Sequence, residues 1–372
     1  MVNGATIVFR VDASLQIGSG HVMRCLTLAD ALRAEGAECH FICREHSGNL
    51  LGFIKSKGFF AHKLPIKKNI DEGTQRHPII PLTHGHWLGV TQEEDASASN
   101  HILEALRPDW LIVDHYALDA QWEKRTQQYR KKLIVIDDLA DRKHLCDLLL
   151  DQNLGRFSSD YRVHVPQNCA LLMGPSYALL RPEFEEWRNK SLKYRASPQL
   201  KRFLITMGGV DENNATCLIL QALKNIMLPS GARITVVMGG AAPWLINVQR
   251  LAKKMPYPTE VVCNVDNMAE RMSSTDLAIG AAGSTSWERC CLGLPTLIVT
   301  LADNQIKIGS ALHDSGSAIL LGRPEGPDFN IKIKSAVESI VNNPEMLKSM
   351  SAAASKLTDG SGCAAVVSLI NE

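Results

Sequence analysis

Val11-Asp12-Ala13-Ser14-Leu15-Gln16-Ile17-Gly18-Ser19-Gly20-His21-Val22-Met23-Arg24 joins two different periodicities. Before it, Thr6 to Val11 is an apolar run of strand length. After it, Val22, Cys25, Leu26, Ala29 and Leu32 recur at helical spacing, which predicts an amphipathic helix over 20–34. A strand feeding a helix through a glycine turn is the opening step of a parallel α/β fold. In an open sheet of that kind the turn lies at the carboxyl ends of the strands, where ligands bind. Gly18 and Gly20 let the backbone approach a ligand closely. The helix start offers unpaired N–H groups to an anion, and His21 sits there as a titratable group. The same residues also suit a packing turn and a histidine that caps a helix, and the turn alone leaves both open. Gly18-x-Gly20 is followed by Met23 where a dinucleotide fingerprint needs a third glycine, which argues against that motif.

The alternation continues through the first half. Strands are predicted at Thr6–Val11, Cys39–Cys43, Leu111–Asp114, Leu133–Asp137 and Leu148–Asp151, with helices at about 20–34, 48–57, 94–106 and 119–131. Residues 65–92 interrupt the pattern with three prolines and several histidines, and read as a long loop or excursion. No cysteine or carboxylate at ligand spacing joins those histidines, so a metal site is not expected there. Several strands end in acidic or polar residues: Asp114-His115-Tyr116, Asp137-Asp138 and Asp151-Gln152-Asn153. These face the crevice of a doubly wound sheet, as loop caps or as site-lining groups. A charged stretch with prolines near both ends, 181–200, reads as a linker that is partly helical. The pattern then restarts with strands Arg202–Met207, Ile234–Met238, Val261–Cys263, Leu277–Gly280 and Thr296–Thr300, a helix over 213–227, and helices over 331–371. The expected division is therefore 1–180, a linker over 181–200, and 201–372.

The 372 residues carry 40 Lys and Arg against 39 Asp and Glu, so no basic field marks a nucleic-acid partner. No apolar run approaches the eighteen or so residues of a membrane span, and Met1-Val2-Asn3-Gly4 lacks the pattern of a signal peptide. Ten cysteines without a C-x-x-C pair, set in apolar context, read as buried thiols of a reducing, cytoplasmic compartment. Balanced charge without a heptad points to a monomer or a weak dimer.

In the second half, Gly280-Ala281-Ala282-Gly283-Ser284-Thr285-Ser286-Trp287-Glu288 follows a strand and opens a helix. Gly283 allows close approach, and the N–H groups of Ser284, Thr285 and Ser286 form a cradle suited to phosphate. Glu288, one turn into the helix, has the reach to grip two ribose hydroxyls. Thr285-x-x-Glu288 equally fits an ordinary capping box. Asp303-Asn304-Gln305, after the next strand, offers amides to sugar hydroxyls or, equally, a helix cap. No D-x-D occurs in the chain, so the carboxylate pair with which one large class of nucleotide-sugar enzymes chelates metal is missing.

Taken in order, these stretches resemble the UDP-2,4-diacetamido-2,4,6-trideoxy-β-L-altropyranose hydrolases of pseudaminic acid biosynthesis (PseG type). The resemblance runs from Arg10–Ser14 and Ile17–Ala29 through Val113–Tyr116, Asp137–Ala140, Asp151–Asn153 and Tyr177–Phe184 to Met207–Asp211 and Gly283–Glu288. Only 65–92 matches no family motif. The resemblance implies a GT-B fold, two Rossmann-like domains facing a cleft, with UDP in the C-terminal domain. It implies His21 as the catalytic base. It also implies Asn267 and Met268 against the base, Glu288 on the ribose, Gly283, Ser284 and Thr285 on the diphosphate, and Gly208 and Gly209 beside the nucleotide. Gly18, Gly20, Tyr116, Arg181, Asn304 and Gln305 would surround the sugar. No metal and no cofactor are implied. The expected reaction is inverting hydrolysis at C1 with release of UDP. An inverting glycosyltransferase on the same fold stays open, with residues 65–92 (Trp87, Lys67, Lys68) as its acceptor surface. So does a catalytically silent binder of nucleotide sugars.

Overall fold

The computed structural model describes residues 2–66, 82–240 and 242–371. The chain divides into two compact units, Met1–Leu179 with Cys363–Glu372, and Leu180–Gly362.

The first unit carries seven strands: β1 (Thr6–Val11), β2 (Glu38–Arg44), β3 (Phe60–Leu64), β4 (Trp110–Asp114), β5 (Lys132–Ile136), β6 (Leu148–Asp151) and β7 (Ala170–Met173). Its helices are α1 (Gly20–Ala34), α2 (Leu51–Ser56), α3 (Gln92–Leu106), α4 (Ala120–Thr126) and α5 (Ser158–Arg162). The strands run parallel in the order β3-β2-β1-β4-β5-β6-β7. Successive side chains of a strand point to opposite faces, and here both faces are buried. Ile7, Phe9 and Val11 join one core with Ile112, Ile134 and Ile136, while Val8 joins the other with Leu111, Val113 and Val135. That is why these strands read as continuous apolar runs. β3 escapes the sequence reading because its pattern, Phe-Ala-His-Lys-Leu, is half polar at the sheet edge.

The second unit begins with α6 (Pro182–Arg195) and carries β8 (Arg202–Thr206), α7 (Ala215–Lys224), β9 (Arg233–Met238), α8 (Leu245–Ala252), β10 (Thr259–Cys263), α9 (Met268–Ser273), β11 (Leu277–Ala281), α10 (Thr285–Cys291), β12 (Thr296–Val299), α11 (Ile306–Asp314), β13 (Ala318–Gly322), α12 (Phe329–Asn342) and α13 (Glu345–Ser355). Six parallel strands lie in the order β10-β9-β8-β11-β12-β13. Both sheets therefore reverse direction beside their first strand, at β1/β4 and at β8/β11, which makes two switch points.

Two boundaries differ from the sequence expectation. Residues 182–195 form α6, the helical part of the expected linker, and Ser191 and Arg195 on it are buried against the second unit. Arg195 donates to the carbonyls of Leu292, Thr275 and Met272 at 3.0, 2.6 and 2.8 Å, and Ser191 donates to Leu292 at 2.7 Å. The charge of Arg195 is thus spent on carbonyls at helix ends. The last helix, α14 (Gly362–Asn371), belongs to the first unit, where Cys363, Val366, Val367 and Ile370 enter the core with Cys25, Leu28 and Leu32 of α1. All ten cysteines are free thiols, and nine of them are buried. Among the described residues no helix is long and apolar enough to cross a membrane.

Candidate functional site

In the first unit the site grows from the β1/β4 switch point. Val11 and Asp114 are register partners at the ends of the two strands. From Val11 the chain turns through Ser14, whose hydroxyl accepts the N–H of Ile17 at 2.9 Å, and Gly18, which takes a φ of 79° that only glycine adopts without strain. It enters α1 at Gly20, which is exposed, and presents His21 one residue later. Ser19 is the N-cap of this helix and makes no side-chain capping bond. His21 is not a cap either: its Nδ1 donates to Asp114 Oδ1 at 2.6 Å. The partner fixes the tautomer and leaves Nε2 as the acceptor, and Nε2 makes no hydrogen bond among the described residues.

Asp114 is itself held on its other side. Arg24, one turn further along α1, donates Nε to Oδ2 at 2.6 Å and Nη2 to Oδ1 at 2.7 Å. Burial pushes the Asp114 carboxyl up, but the Arg24 guanidinium and His21 outweigh it and hold the group far below the usual carboxylate range. Arg24 also reaches Asp138 at 2.8 Å, and Asp138 accepts the Tyr116 hydroxyl at 2.6 Å and the Asn153 amide at 2.7 Å. Three strand ends that the sequence marked separately are thus tied into one network. The Tyr116 ring meets His21 edge-on at 4.7 Å. Trp87 stacks on Tyr116 at 5.5 Å and His84 packs against both rings.

Beneath the turn lies a buried ionic cluster. Arg10 bonds Asp12 at 2.6 and 2.9 Å and Asp95 at 3.0 and 2.7 Å, Arg44 bonds Asp95, and the Arg44 N–H donates to Asp12 at 2.7 Å. It anchors the root of the glycine turn. Such a cluster fixes one arrangement more than it adds stability.

In the second unit the corresponding switch point gathers the end of β8 and the loop after β11. Gly208, at a φ of 86°, and Gly209 are exposed at the end of β8. After β11 the loop Ala282–Ser284 leads into α10. The capping-box alternative does not form: the Ser284 N-cap and its successor make no side-chain capping bond, and Thr285 Oγ1 instead accepts Arg289 Nη1 at 3.2 Å. Among the described residues the N–H groups of Gly283, Ser284 and Thr285 have no protein acceptor. A Cβ on Gly283 would meet only Gln305 Nε2, at 4.0 Å. Gln305 closes the turn after β12 by accepting the Leu301 N–H at 2.9 Å, which aims its amide NH2 elsewhere. Asn304 is exposed beside it. Glu288 lies 3.7 Å from Arg181, which also pairs with Glu183 at 3.0 Å. Burial raises the Glu288 carboxyl above its ordinary value, and Arg181 only partly offsets this. Asn267 stands at the start of α9 with its side chain bonded to Glu270 and Arg271, and Met268 is half-buried next to it.

The expected residues therefore fall into two groups. His21, Gly18, Gly20 and Tyr116 lie together in the first unit. Gly283, Ser284, Thr285 and Gln305 form one loop cluster in the second, with Asn304 next to Gln305, and Glu288 paired to Arg181. The sequence marked Asp114 as a strand-end acid without assigning it to His21, because the pairing depends on strand order. Arg24 was hidden as one more polar residue in an amphipathic helix. Of the unmatched stretch 65–92, residues 67–81 lie outside the described residues and take Lys67 and Lys68 with them, while a short turn over Gly85–Leu88 packs Trp87 beside Tyr116.

Residues 205–362 match the glycosyltransferase family 28 C-terminal domain. A UDP-2,4-diacetamido-2,4,6-trideoxy-beta-L-altropyranose hydrolase of Campylobacter jejuni is 26% identical over 313 residues, covering 83% of this chain and 97% of that protein. An uncharacterized protein of Methanocaldococcus jannaschii is 26% identical over 305 residues, 81% of this chain, and the chain spans only 56% of that relative's length. Among solved structures, the crystal structure of Acinetobacter baumannii MurG superposes with a TM-score of 0.70 at 16% identity, covering 99% of each chain. The chain has the GT-B fold, and the resemblance drawn from its motifs holds at the level of these relatives.

Proposed function

We propose that the chain is a nucleotide-sugar enzyme that hydrolyses a UDP-linked 2,4-diacetamido-2,4,6-trideoxy sugar at C1 with inversion, releasing UDP. The observation that carries this reading is the His21–Asp114 pair at a switch point, with Nε2 of the imidazole unengaged. Support also comes from the hydrolase of Campylobacter jejuni and from the family 28 match over the second unit.

The chemistry follows from the groups available. Hydrolysis at an anomeric carbon needs a water on the face opposite the leaving group and a base near it. Nε2 accepts the water proton as its oxygen bonds to C1 and the bond from C1 to the diphosphate oxygen breaks. The imidazolium that forms is stabilised by Asp114, which stays ionised because Arg24 holds it so. UDP leaves with the electron pair of the broken bond and needs no proton. Its charge is met by the N–H groups of Gly283, Ser284 and Thr285, each well-aimed donor contributing about 3 kcal/mol. In this reading Glu288 takes the ribose hydroxyls, Asn267 and Met268 the uracil, and Gly208 and Gly209 lie beside the nucleotide. Tyr116, with its hydroxyl committed to Asp138, acts as a wall against the sugar and against the imidazole. Gly18, Gly20, Arg181, Asn304 and Gln305 complete the sugar's surroundings.

The test is UDP release from the UDP-linked sugar by the purified chain with no added acceptor. Release by wild type and its loss in His21→Gln, with UDP binding retained, is the expected result. Release only after a carbohydrate acceptor is added would assign a glycosyltransferase instead, with His21 deprotonating a hydroxyl. UDP binding without any turnover would leave a binder.

A further inference from the structure

We infer that Arg289, buried beneath the Gly280–Ser286 loop, is the fixed positive charge that gives this loop its grip on a diphosphate, acting as a positioning residue that does not itself touch the ligand. The inference rests on the nucleotide reading above.

Arg289 is 1% exposed. Its guanidinium makes three hydrogen bonds, all to the loop: Nη1 to Thr285 Oγ1 at 3.2 Å, and Nη2 to Ser286 Oγ at 3.0 Å and to Ala281 O at 2.8 Å. Among the described residues no carboxylate lies within ion-pair distance of it. Other buried arginines contrast with this. Arg10 sits between Asp12 and Asp95, Arg24 between Asp114 and Asp138, and Arg142 beside Asp137 and Asp141. Arg195 also lacks a carboxylate, but three carbonyls at helix ends accept from it. Arg289 has one carbonyl and two hydroxyls. Burial pushes its guanidinium down to about 10, so it remains charged at neutral pH. Glu288 offsets this charge only in part and without direct contact. A buried charge with no carboxylate against it is costly, and an anion over the loop offsets that cost.

The loop is shaped around this side chain. A Cβ on Gly280 would collide with the guanidinium, so the strand end is glycine where the arginine passes under it. Each hydroxyl that accepts from Arg289 keeps its own proton for another acceptor, and that of Ser286 goes to Ala281 O at 3.5 Å. Donation from a cation polarises that proton and makes the hydroxyl a stronger donor. Thr285 Oγ–H has no acceptor among the described residues. The loop thus presents three unpaired N–H groups and a polarised hydroxyl to the same small region, with a buried cation that no carboxylate contacts behind them.

Calorimetric titration with uridine, UMP and UDP tests this on wild type, Arg289→Met, Arg289→Lys and Thr285→Val. Arg289→Met is expected to weaken UDP by about tenfold or more and UMP by less, leaving uridine unchanged; loss of one charge-assisted donor network is of that order. Arg289→Lys is expected to recover part of the loss. Thr285→Val leaves the charge in place and removes the polarised donor. It is expected to weaken UDP but not uridine, and keeps the test standing if Arg289→Met does not fold. UDP bound as tightly by Arg289→Met as by wild type would overturn the inference, as would an equal fall for all three ligands, which marks structural damage. A wild type that binds no UDP would overturn the nucleotide reading itself and this inference with it.

Discussion

His21 shows how a partner decides what a residue can do. A histidine at a helix start suits capping and base chemistry alike, and the sequence left both open. The hydrogen bond from Nδ1 to Asp114, 93 positions away, gives the ring one free acceptor nitrogen. Asp114→Asn would offer Nδ1 a different partner and withdraw the charge that stabilises the imidazolium. It is expected to lower kcat by about 10⁴-fold with little change in UDP affinity, in line with the cost of replacing the triad aspartate in serine proteases. Asp151 carries a second residue-level consequence. Burial, and then the neighbouring Asp138, push its carboxyl up to about 7, against bonds from the Asn153 N–H and the Tyr161 hydroxyl. The folded protein keeps this proton through a range, from about pH 4 to 7, where the unfolded chain has lost it. Its contribution to stability is therefore complete below the unfolded pKa and disappears as pH rises through the folded one. Denaturant unfolding is expected to show wild type losing stability over that window by up to about 1.4 kcal/mol per pH unit. Asp151→Asn keeps an oxygen for the Asn153 N–H and offers its NH2 to the Tyr161 oxygen, whose hydroxyl also has Asp137 to donate to, and is expected to flatten the slope. An unchanged slope in the variant would place the titration elsewhere.

At the scale of elements, legibility followed burial. β1, β4 and β6 are apolar on both faces and were found within a residue or so, and α1 was found to its ends. The misreadings have a common cause. α6 is rich in charge, and a sequence does not say whether an arginine faces water or a carbonyl. Arg195 is 6% exposed and satisfies the ends of two neighbouring elements. Arg195→Ala is expected to cost about 3 kcal/mol, since it removes three buried hydrogen bonds from a charged donor and leaves the Thr275 carbonyl without its side-chain partner. The measurement is the denaturant midpoint, and a loss below about 0.5 kcal/mol, the scale of an ordinary surface change, would restore the linker reading. The His21–Asp114 pairing was illegible for a related reason. Each strand-end acid could be marked from the sequence, but His21 finds Asp114 only because β4 lies directly beside β1.

For the whole molecule, the division into two nucleotide-binding-type halves was visible in the restart of the α/β pattern after residue 200. The exchange of the last helix was not, because α14 has the small apolar composition of any packed helix and its sequence neighbours belong to the other unit. Ile370, 4% exposed in the core of the first unit, tests the assignment. Ile370→Ala is expected to destabilise by about 2–4 kcal/mol, with faster hydrogen exchange in β1 and α1 and unchanged exchange in β8 and β11. The reverse pattern would move α14 to the second unit. The most direct test of the proposed reaction is turnover of the UDP-linked diacetamido-trideoxy sugar in ¹⁸O-water, with His21→Gln alongside wild type. The expected result is label at C1 of the released sugar and none in UDP, with turnover lost in the variant. Label in UDP, or wild-type rates from His21→Gln, would contradict water attack at C1 by a base at His21.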